Sequence, residues 1–384
     1  MEYEVALAAC PDYAPAACRQ ALVQALDPIG GLDWVRPGMR IAIKANLVSF
    51  LKPEAAATTH PQLLVSLVEL LRELGAEVIV GDSPGGLYNL AYVSQVYRAT
   101  GMLQVERAGA KLNRDFSQAT AQYPQAQVAK QFQYTRYLDD VDAIINFSKL
   151  KTHAMMGMSN SVKNMFGIIP GTLKPEYHFR YSNPADFARM IVDLGEYFKP
   201  VLCITDAVTA MEGNGPTMGT PRQIGAVLAS KDAHKLDLVC AGLIGLSRSQ
   251  VPTLEAAFER GYIPPSWQEV SLYGPFSQLA VQDFKTIKTL GSILFQDASG
   301  NPLKKLWGRI LQSAMCSYPV VEKDGCVGCG KCRQICPAKA IVMKSGLPAI
   351  DRKTCIHCFC CQEFCPKGAM KSHRPAIAKL LNTT

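Results

Sequence analysis

Eight cysteines near the C-terminal end of the chain fall into two runs of one pattern. Cys326, Cys329, Cys332 and Cys336 are followed by Pro337, and Cys355, Cys358, Cys361 and Cys365 by Pro366. Both runs read C-x-x-C-x-x-C-x-x-x-C-P. That spacing lets three thiolates of one tight loop hold three irons of a cubane, while the fourth, expected at the start of a helix, reaches a second cubane. The expectation is two [4Fe–4S] clusters. Cys326, Cys329, Cys332 and Cys365 would hold one, and Cys355, Cys358, Cys361 and Cys336 the other. The proline after each crossing cysteine has a fixed φ that helps the chain turn there. Zinc fits less well, since it takes four ligands in one tetrahedron and commonly draws them from separated C-x-x-C pairs.

The two runs form an internal repeat. The same interval separates Cys326 from Cys355 and Cys336 from Cys365, and Ala340 is matched by Ala369. Residues 318–373 resemble the bacterial two-cluster ferredoxins. Cys360 stands where Lys331 stands in the first run, outside the ligand register, and reads as a spare thiol. Cys203 and Cys240 lie in apolar surroundings and read as inert core residues. Cys10 and Cys18 have no nearby histidine and make a poor metal site, and Cys316 reads as a packing residue. The start, MEYEVALAAC, has early acids, no basic region and no long apolar core. A reducing, cytoplasmic setting is therefore expected, and a disulfide framework is not.

These cysteines need a scaffold, and the 384 residues supply far more than a small module uses. With 48% hydrophobic content the chain can bury a large core as well. Apolar runs at Arg40–Ala45, Glu77–Val80, Ala143–Phe147, Val201–Thr205 and Ile224–Ala229 have strand length and are continuous enough to be buried on both faces. Helical stretches alternate with them. Pro61 to Leu74 carries Leu63, Leu64, Leu67, Val68, Leu70 and Leu71 at helical spacing, with Gly75 as its stop. The order predicts an α/β fold: a mainly parallel sheet with helices on both faces over 1–300, followed by a small C-terminal α+β ferredoxin-like domain over 318–373. Between them, Leu303, Leu306, Trp307, Ile310 and Leu311 with Lys304, Lys305 and Arg309 predict an amphipathic linker helix over 301–317, suited to packing on the main domain or to touching a membrane surface. A tail over 374–384 ends the chain. No apolar stretch is long enough to span a bilayer. The net charge of +8 is spread along the chain, which fits an anionic substrate or an acidic redox partner and not dedicated nucleic-acid binding.

Ligands of such sheets sit at the carboxyl ends of the strands, and polar residues gather there. Lys44 and Asn46 follow the first run, Asp82 lies in GDSPGG after the second, and Lys149, Lys151 and His153 follow the third. Asp206 follows the fourth, ahead of the glycine-rich Met211–Pro216 stretch with Glu212 and Asn214, and Ser230, Lys231 and Asp232 follow the fifth. Neither GDSPGG nor EGNGPTMG matches a dinucleotide or phosphate-loop fingerprint, so nicotinamide and ATP are not expected.

The segments KANL at Lys44–Leu47, TTHP at Thr58–Pro61, KLKTH at Lys149–His153, VKNMFGIIPG at Val162–Gly171 and MEGNGPTMGTP at Met211–Pro221 resemble the uncharacterised family catalogued as domain of unknown function 362. The resemblance covers most of residues 1–250. It implies the same domain order, with a two-cluster segment at the C-terminus, but hands over no substrate. His234 and Lys235 depart from it, standing where the family usually has small apolar residues.

Lys44, Lys149, Lys151 and Lys163 bring up to four ammonium groups to one expected crevice, suited to a carboxylate or phosphate. His60 and His153 offer acid/base chemistry near neutral pH, and Asp82, Asp206 and Glu212 can orient a histidine, bind a hydroxyl or hold a hard cation. Lys151, His153 and Glu212 are the expected catalytic residues. Lys44, Asn46, His60, Asp82, Lys149, Lys163, Asn164, Asp206 and Asn214 are expected to bind a small anionic metabolite. Plainer readings stand beside these: Asp82 with Ser83 and Pro84 as a turn, and His60 as the boundary of the helix that begins at Pro61. The expected function is an iron–sulfur oxidoreductase or electron-transfer protein that takes electrons from a carrier and relays them to the crevice. Two alternatives are a ferredoxin-like carrier or maturation factor with a docking domain, and a non-redox enzyme with structural or sensing clusters.

Overall fold

Residues 3–287 and 317–373 are described in the computed structural model, and each apolar run of the first segment becomes a strand. The strands are β1 (Val5–Ala9), β2 (Arg40–Lys44), β3 (Glu77–Gly81), β4 (Lys111–Leu112), β5 (Gln118–Gln122), β6 (Gln131–Thr135), β7 (Ala143–His153), β8 (Gly157–Ser159), β9 (Leu202–Glu212), β10 (Thr220–Ser230) and β11 (Leu272–Tyr273). Nine of them form one sheet in the order β11-β1-β10-β9-β7-β2-β3-β4, with β8 pairing to β7, while β5 and β6 make a separate hairpin. Its centre is parallel: β2 pairs with β3 and β7, and β7 with β9. The exceptions are β10, antiparallel to β9 and β1, and β8, antiparallel to β7.

Helices cover both faces, which is why the central strands are apolar on both sides. On one face Leu22, Leu64, Leu67, Val68 and Val93 of three helices pack on Ile41, Ile43, Ile145 and Phe147. On the other, Phe187 and Ile191 of the helix Pro184–Phe198 join a second core, and Leu236 and Leu254 of two later helices join a third. The helix Pro61–Glu73 begins with proline at its first position and His60 as cap. It ends just before Gly75, whose φ of 82° is the left-handed turn that glycine adopts freely.

The structure departs from the sequence reading along β7 and β9. Their apolar runs stop at Phe147 and Thr205, but both strands continue for several residues, and all of KLKTH is buried strand. The extension is possible because Lys151 to His153 are paired with β8, and the polar heads find buried partners of their own. In the second segment β12 (Tyr318–Val321) pairs with β15 (Met370–His373), and β13 (Ile341–Lys344) with β14 (Leu347–Ile350). Apart from Ser317, the expected linker helix over 301–317, with Cys316, lies outside the described residues, as does the tail 374–384.

Candidate functional site

The cysteines ring two hollows, and each ring mixes the two runs. Cys326, Cys329, Cys332 and Cys365 line one, against Val327, Met343 and Met370. Cys336, Cys355, Cys358 and Cys361 line the other, against Ile341 and Ile350. All eight thiols are free. Four thiols spread round an apolar hollow suit a cubane, which takes one cysteine at each of four irons. Among the described residues no three Cys, His, Asp or Glu side chains converge on a single ion position. The crossing cysteine does not start a helix as expected. Cys336 closes the helix Lys331–Ile335 in extended backbone, the conformation a following proline favours. Cys360 borders the second hollow, with its thiol hydrogen-bonded to Cys358.

Glu363 and Phe364, which stand between Cys361 and Cys365, form part of the wall of a second kind of space. This is a cavity of about 80 Å³ between the cluster segment and the sheet, several times the ~10–15 Å³ that one water needs. The sheet side contributes Asn46, Asp82, Lys151, Lys163 and Asn164, and the helix Lys174–Arg180 contributes Lys174 and His178.

A chain of polar contacts runs behind that wall. Lys151 Nζ donates to Asn46 Oδ1 and the Ala57 carbonyl, both at 2.7 Å. Asn46 Nδ2 donates to Asn164 Oδ1 at 2.9 Å, which also accepts from Lys44 Nζ at 2.9 Å. Lys44 is fully buried and ion-paired with Asp82 at 2.8 Å, and the other Asp82 oxygen accepts the Leu47 N–H at 2.8 Å. A Cβ at Gly167 would collide with both members of that pair, so only glycine allows the backbone so near. Burial pushes Lys44 down from its ordinary value against the pull of Asp82, and pushes Lys151 well down, helped by the charge of Lys163. Lys174 is lowered to about 8, first by burial; it donates to the Ser83 carbonyl and lies over the Phe166 ring. The Lys163 ammonium lies 5.8 Å from the same ring centre and has no hydrogen-bond acceptor among the described residues.

The other expected site residues assemble elsewhere. Lys149 Nζ pairs with Asp206 at 2.8 Å and donates to the Tyr13 hydroxyl, which itself donates to Asp206 at 3.0 Å. His60 stacks on Tyr13 at 3.5 Å, and its Nδ1 accepts the Gln62 N–H at 3.2 Å as a helix cap. Burial and the Lys149 charge hold His60 down to about 4 against Asp206. Glu212 accepts the Lys285 N–H at 3.1 Å and is not part of the cavity wall. Asn214 meets the cluster segment: its Oδ1 accepts from Gln362 Nε2 at 3.0 Å and from the Ser372 N–H at 3.3 Å.

His153 is also a joint between the two segments. Its Nδ1 accepts the N–H groups of Met155 and Met156, each at 3.2 Å, and its Nε2 lies 2.9 Å from Glu363. The two N–H donors on Nδ1 leave the proton of a neutral imidazole on Nε2, which faces the Glu363 carboxylate at ion-pair distance. Burial, helped by the Lys163 charge, lowers His153 to about 4. Glu363 is held below the usual carboxylate range: burial opposes this, and the hydrogen bond from His153 and the nearby positive charge outweigh it. Around this joint Phe359 joins the core of Met155, Met156 and Phe166, and a Cβ at Gly85 would lie 2.7 Å from the Phe364 ring.

Comparison with known proteins places this arrangement. Residues 41–242, slightly more than half of the chain, match the model of a domain of unknown function, DUF362. The chain belongs to that family. Residues 318–366 match a 4Fe–4S dicluster domain, so this DUF362 member is an iron–sulfur protein. A thylakoid-associated protein of a Synechocystis species is 31% identical over 306 residues, covering 77% of this chain and 91% of its own length. A structural-genomics crystal structure from Thermotoga maritima aligns with a TM-score of 0.36 at 16% identity, over 56% of this chain and 55% of that one. The lactate racemase apoprotein from Thermoanaerobacterium thermosaccharolyticum aligns with a TM-score of 0.41 at 12% identity, over 64% and 58%. The DUF362 chain thus spans a little over half of each solved structure.

Lys174, His178, Glu363 and Phe364 of the cavity wall are among the residues that escaped the sequence reading. Lys174 and His178 are one helical turn apart and share a face, a polar i,i+4 pair just after VKNMFGIIPG that could have drawn notice. Glu363 and Phe364 sit inside a cysteine run, where they read as spacers. His178 stacks on Phe187 at 4.3 Å, and burial lowers it to about 3. Because His178 and His153 are neutral when folded, the unfolded chain takes up protons first as pH falls below ~6.5. Stability contributed by these groups is therefore present at neutral pH and lost between that value and the lowered ones. Each should cost roughly 3 kcal/mol by pH 4. A His178→Phe variant is expected to show a shallower fall in its urea midpoint between pH 7 and pH 5; an unchanged slope would count against the assignment.

Proposed function

We propose that this DUF362 protein holds two [4Fe–4S] clusters and relays electrons, received from a carrier protein, to a small anionic ligand in the lysine-lined cavity. One observation carries the reading: Glu363 and Phe364, flanked by Cys361 and Cys365, are themselves part of the cavity wall, so the ligand space begins where the cluster loop ends. Lys163 and Lys174 meet the anion, Lys151 adds charge from within the sheet, and Asn46 and Asn164 orient it. Lys44 holds Asp82 and the network in place. His153 and Asn214 fix the cluster segment against the sheet, and Lys149, Asp206 and His60 stiffen the neighbouring strand ends. Glu212 secures its own glycine-rich loop. The clusters supply one-electron chemistry when bound. The net charge of +8 suits an acidic carrier. No helix among the described residues is long and apolar enough to cross a membrane, and a cytoplasmic setting is part of the proposal.

The test is anaerobic purification followed by iron and sulfide analysis, with mass spectrometry of co-purifying small molecules. About eight irons per chain are expected, the content of two cubanes. Reoxidation of the electrochemically reduced protein should quicken when the co-purifying anion is added back, and a Lys163→Ala, Lys174→Ala variant should lose that response. An iron content near four, or reoxidation indifferent to the anion, speaks against the relay.

A further inference from the structure

The cavity and the second cysteine hollow share one short helix. Cys360 and Cys361, at its start, line the hollow, and Glu363, at its end, lines the cavity. Their separation along the axis is about 3–5 Å at 1.5 Å per residue. Lys163 stands on the cavity side and interacts electrostatically with both Glu363 and Cys360. Charges this close and this poorly solvated are weakly screened by salt.

The donors left over in the cavity define what it takes. An ammonium has three N–H donors. Lys151 uses two, on Asn46 and Ala57, and keeps one; Lys163 uses none on any acceptor among the described residues. Lys44 is matched by Asp82, and Glu363 is the one further carboxylate of the wall. With Lys151, Lys163 and Lys174 all protonated, three ammonium groups face one carboxylate, a formal excess of two positive charges that a bound anion would help to hold.

We propose that the cavity takes a compact dianion, and that its binding is linked through Lys163 to the electron affinity of the cluster held by Cys336, Cys355, Cys358 and Cys361. This deepens the proposed function and rests on it. The sign is negative: an electron added at the hollow and a dianion in the cavity repel, while Lys163 attracts both. Linkage is reciprocal, so each weakens the other by the same factor. One added electron and a dianion about 10 Å apart at an effective dielectric of ~20 give an effect on the order of a hundredfold.

The experiment uses anaerobic holoprotein, with inorganic phosphate and oxalate as probes. Calorimetry compares the oxidised protein with protein reduced at an electrode, and paramagnetic resonance follows both cluster midpoints with and without the probe. The oxidised protein is expected to bind on the order of a hundredfold more tightly, and one midpoint to fall by ~120 mV, at ~59 mV per tenfold, while the other stays. Lys163→Met should lower that same midpoint without any anion and remove the response to the probe, and Lys163→Arg should restore both. Tight binding with neither midpoint moving overturns the linkage alone, as does a Lys163→Met protein with unchanged midpoints. Failure of both probes to bind a protein of full iron content overturns the dianion site and the proposed function with it.

Discussion

Replacing Lys44 by methionine is expected to lower the stability of the sheet domain by about 3–5 kcal/mol, the cost of stripping one partner from a buried ion pair. Lys44 is fully buried, and its ammonium holds Asp82, the Ala45 carbonyl and Asn164 at 2.8, 2.6 and 2.9 Å. Without it the Asp82 carboxylate stays buried, still bound to the Leu47 N–H but stripped of its direct ion-pair partner. The urea midpoint, followed by tryptophan fluorescence, measures the loss. A Lys44→Met, Asp82→Asn double variant should recover much of it, because the uncompensated charge is gone while an acceptor for Leu47 remains. A single variant that loses less than ~1 kcal/mol would show that water or a shifted neighbour solvates Asp82, against the buried pair described. The consequence for the cavity is direct. Asn164 would lose one of the donors that fix its amide, and with it the orientation it passes to Asn46 and Lys151.

That chain of contacts marks the boundary of what the sequence could reveal. The cysteine rings are local: three cysteines of each quartet come from one short loop, so their spacing alone predicts the ring, and only the fourth must be inferred from the crossing pattern. The parallel strands are legible for a similar reason, since burial on both faces writes a continuous apolar run such as Ala143 to Phe147. KLKTH was not legible as strand, because what makes its burial tolerable lies far away in the chain. Lys149 needs Asp206, and Lys151 needs Asn46, 105 residues distant. The same remoteness split the expected crevice into two sites. Residue type alone grouped Lys149, Asp206 and His60 with Lys44 and Lys151, whereas Tyr13, which no pattern singled out, gathers the first three into a cluster of their own. His153 drew attention as a titratable group. Its partner, Glu363, turns it from an acid/base candidate into a joint.

Stripping iron from the anaerobic protein with a chelator should unfold the cluster segment and leave the sheet domain folded. The segment's own buried core is small: Ile341, Cys361 and Met370, with Val321 and Ile350 partly covered. Segments this short rarely hold together on such a core without metal or disulfide support, and its thiols are free. Metal binding is therefore folding free energy for this part of the chain. Hydrogen exchange read by mass spectrometry should show the β12–β15 and β13–β14 amides losing protection by at least ~100-fold, the effect of about 2.7 kcal/mol of linkage. The amides of β2, β3 and β7 should keep theirs. Docking opposes the collapse through Phe359 in the sheet-domain core, Gln362 on Asn214 and Glu363 on His153, so protection retained in full after iron loss would assign the segment's stability to these contacts instead. If the segment does unfold, Glu363 leaves His153 and the cavity loses the wall that Glu363 and Phe364 provide. Phosphate binding should then fall together with iron content, although none of the lysines has been touched.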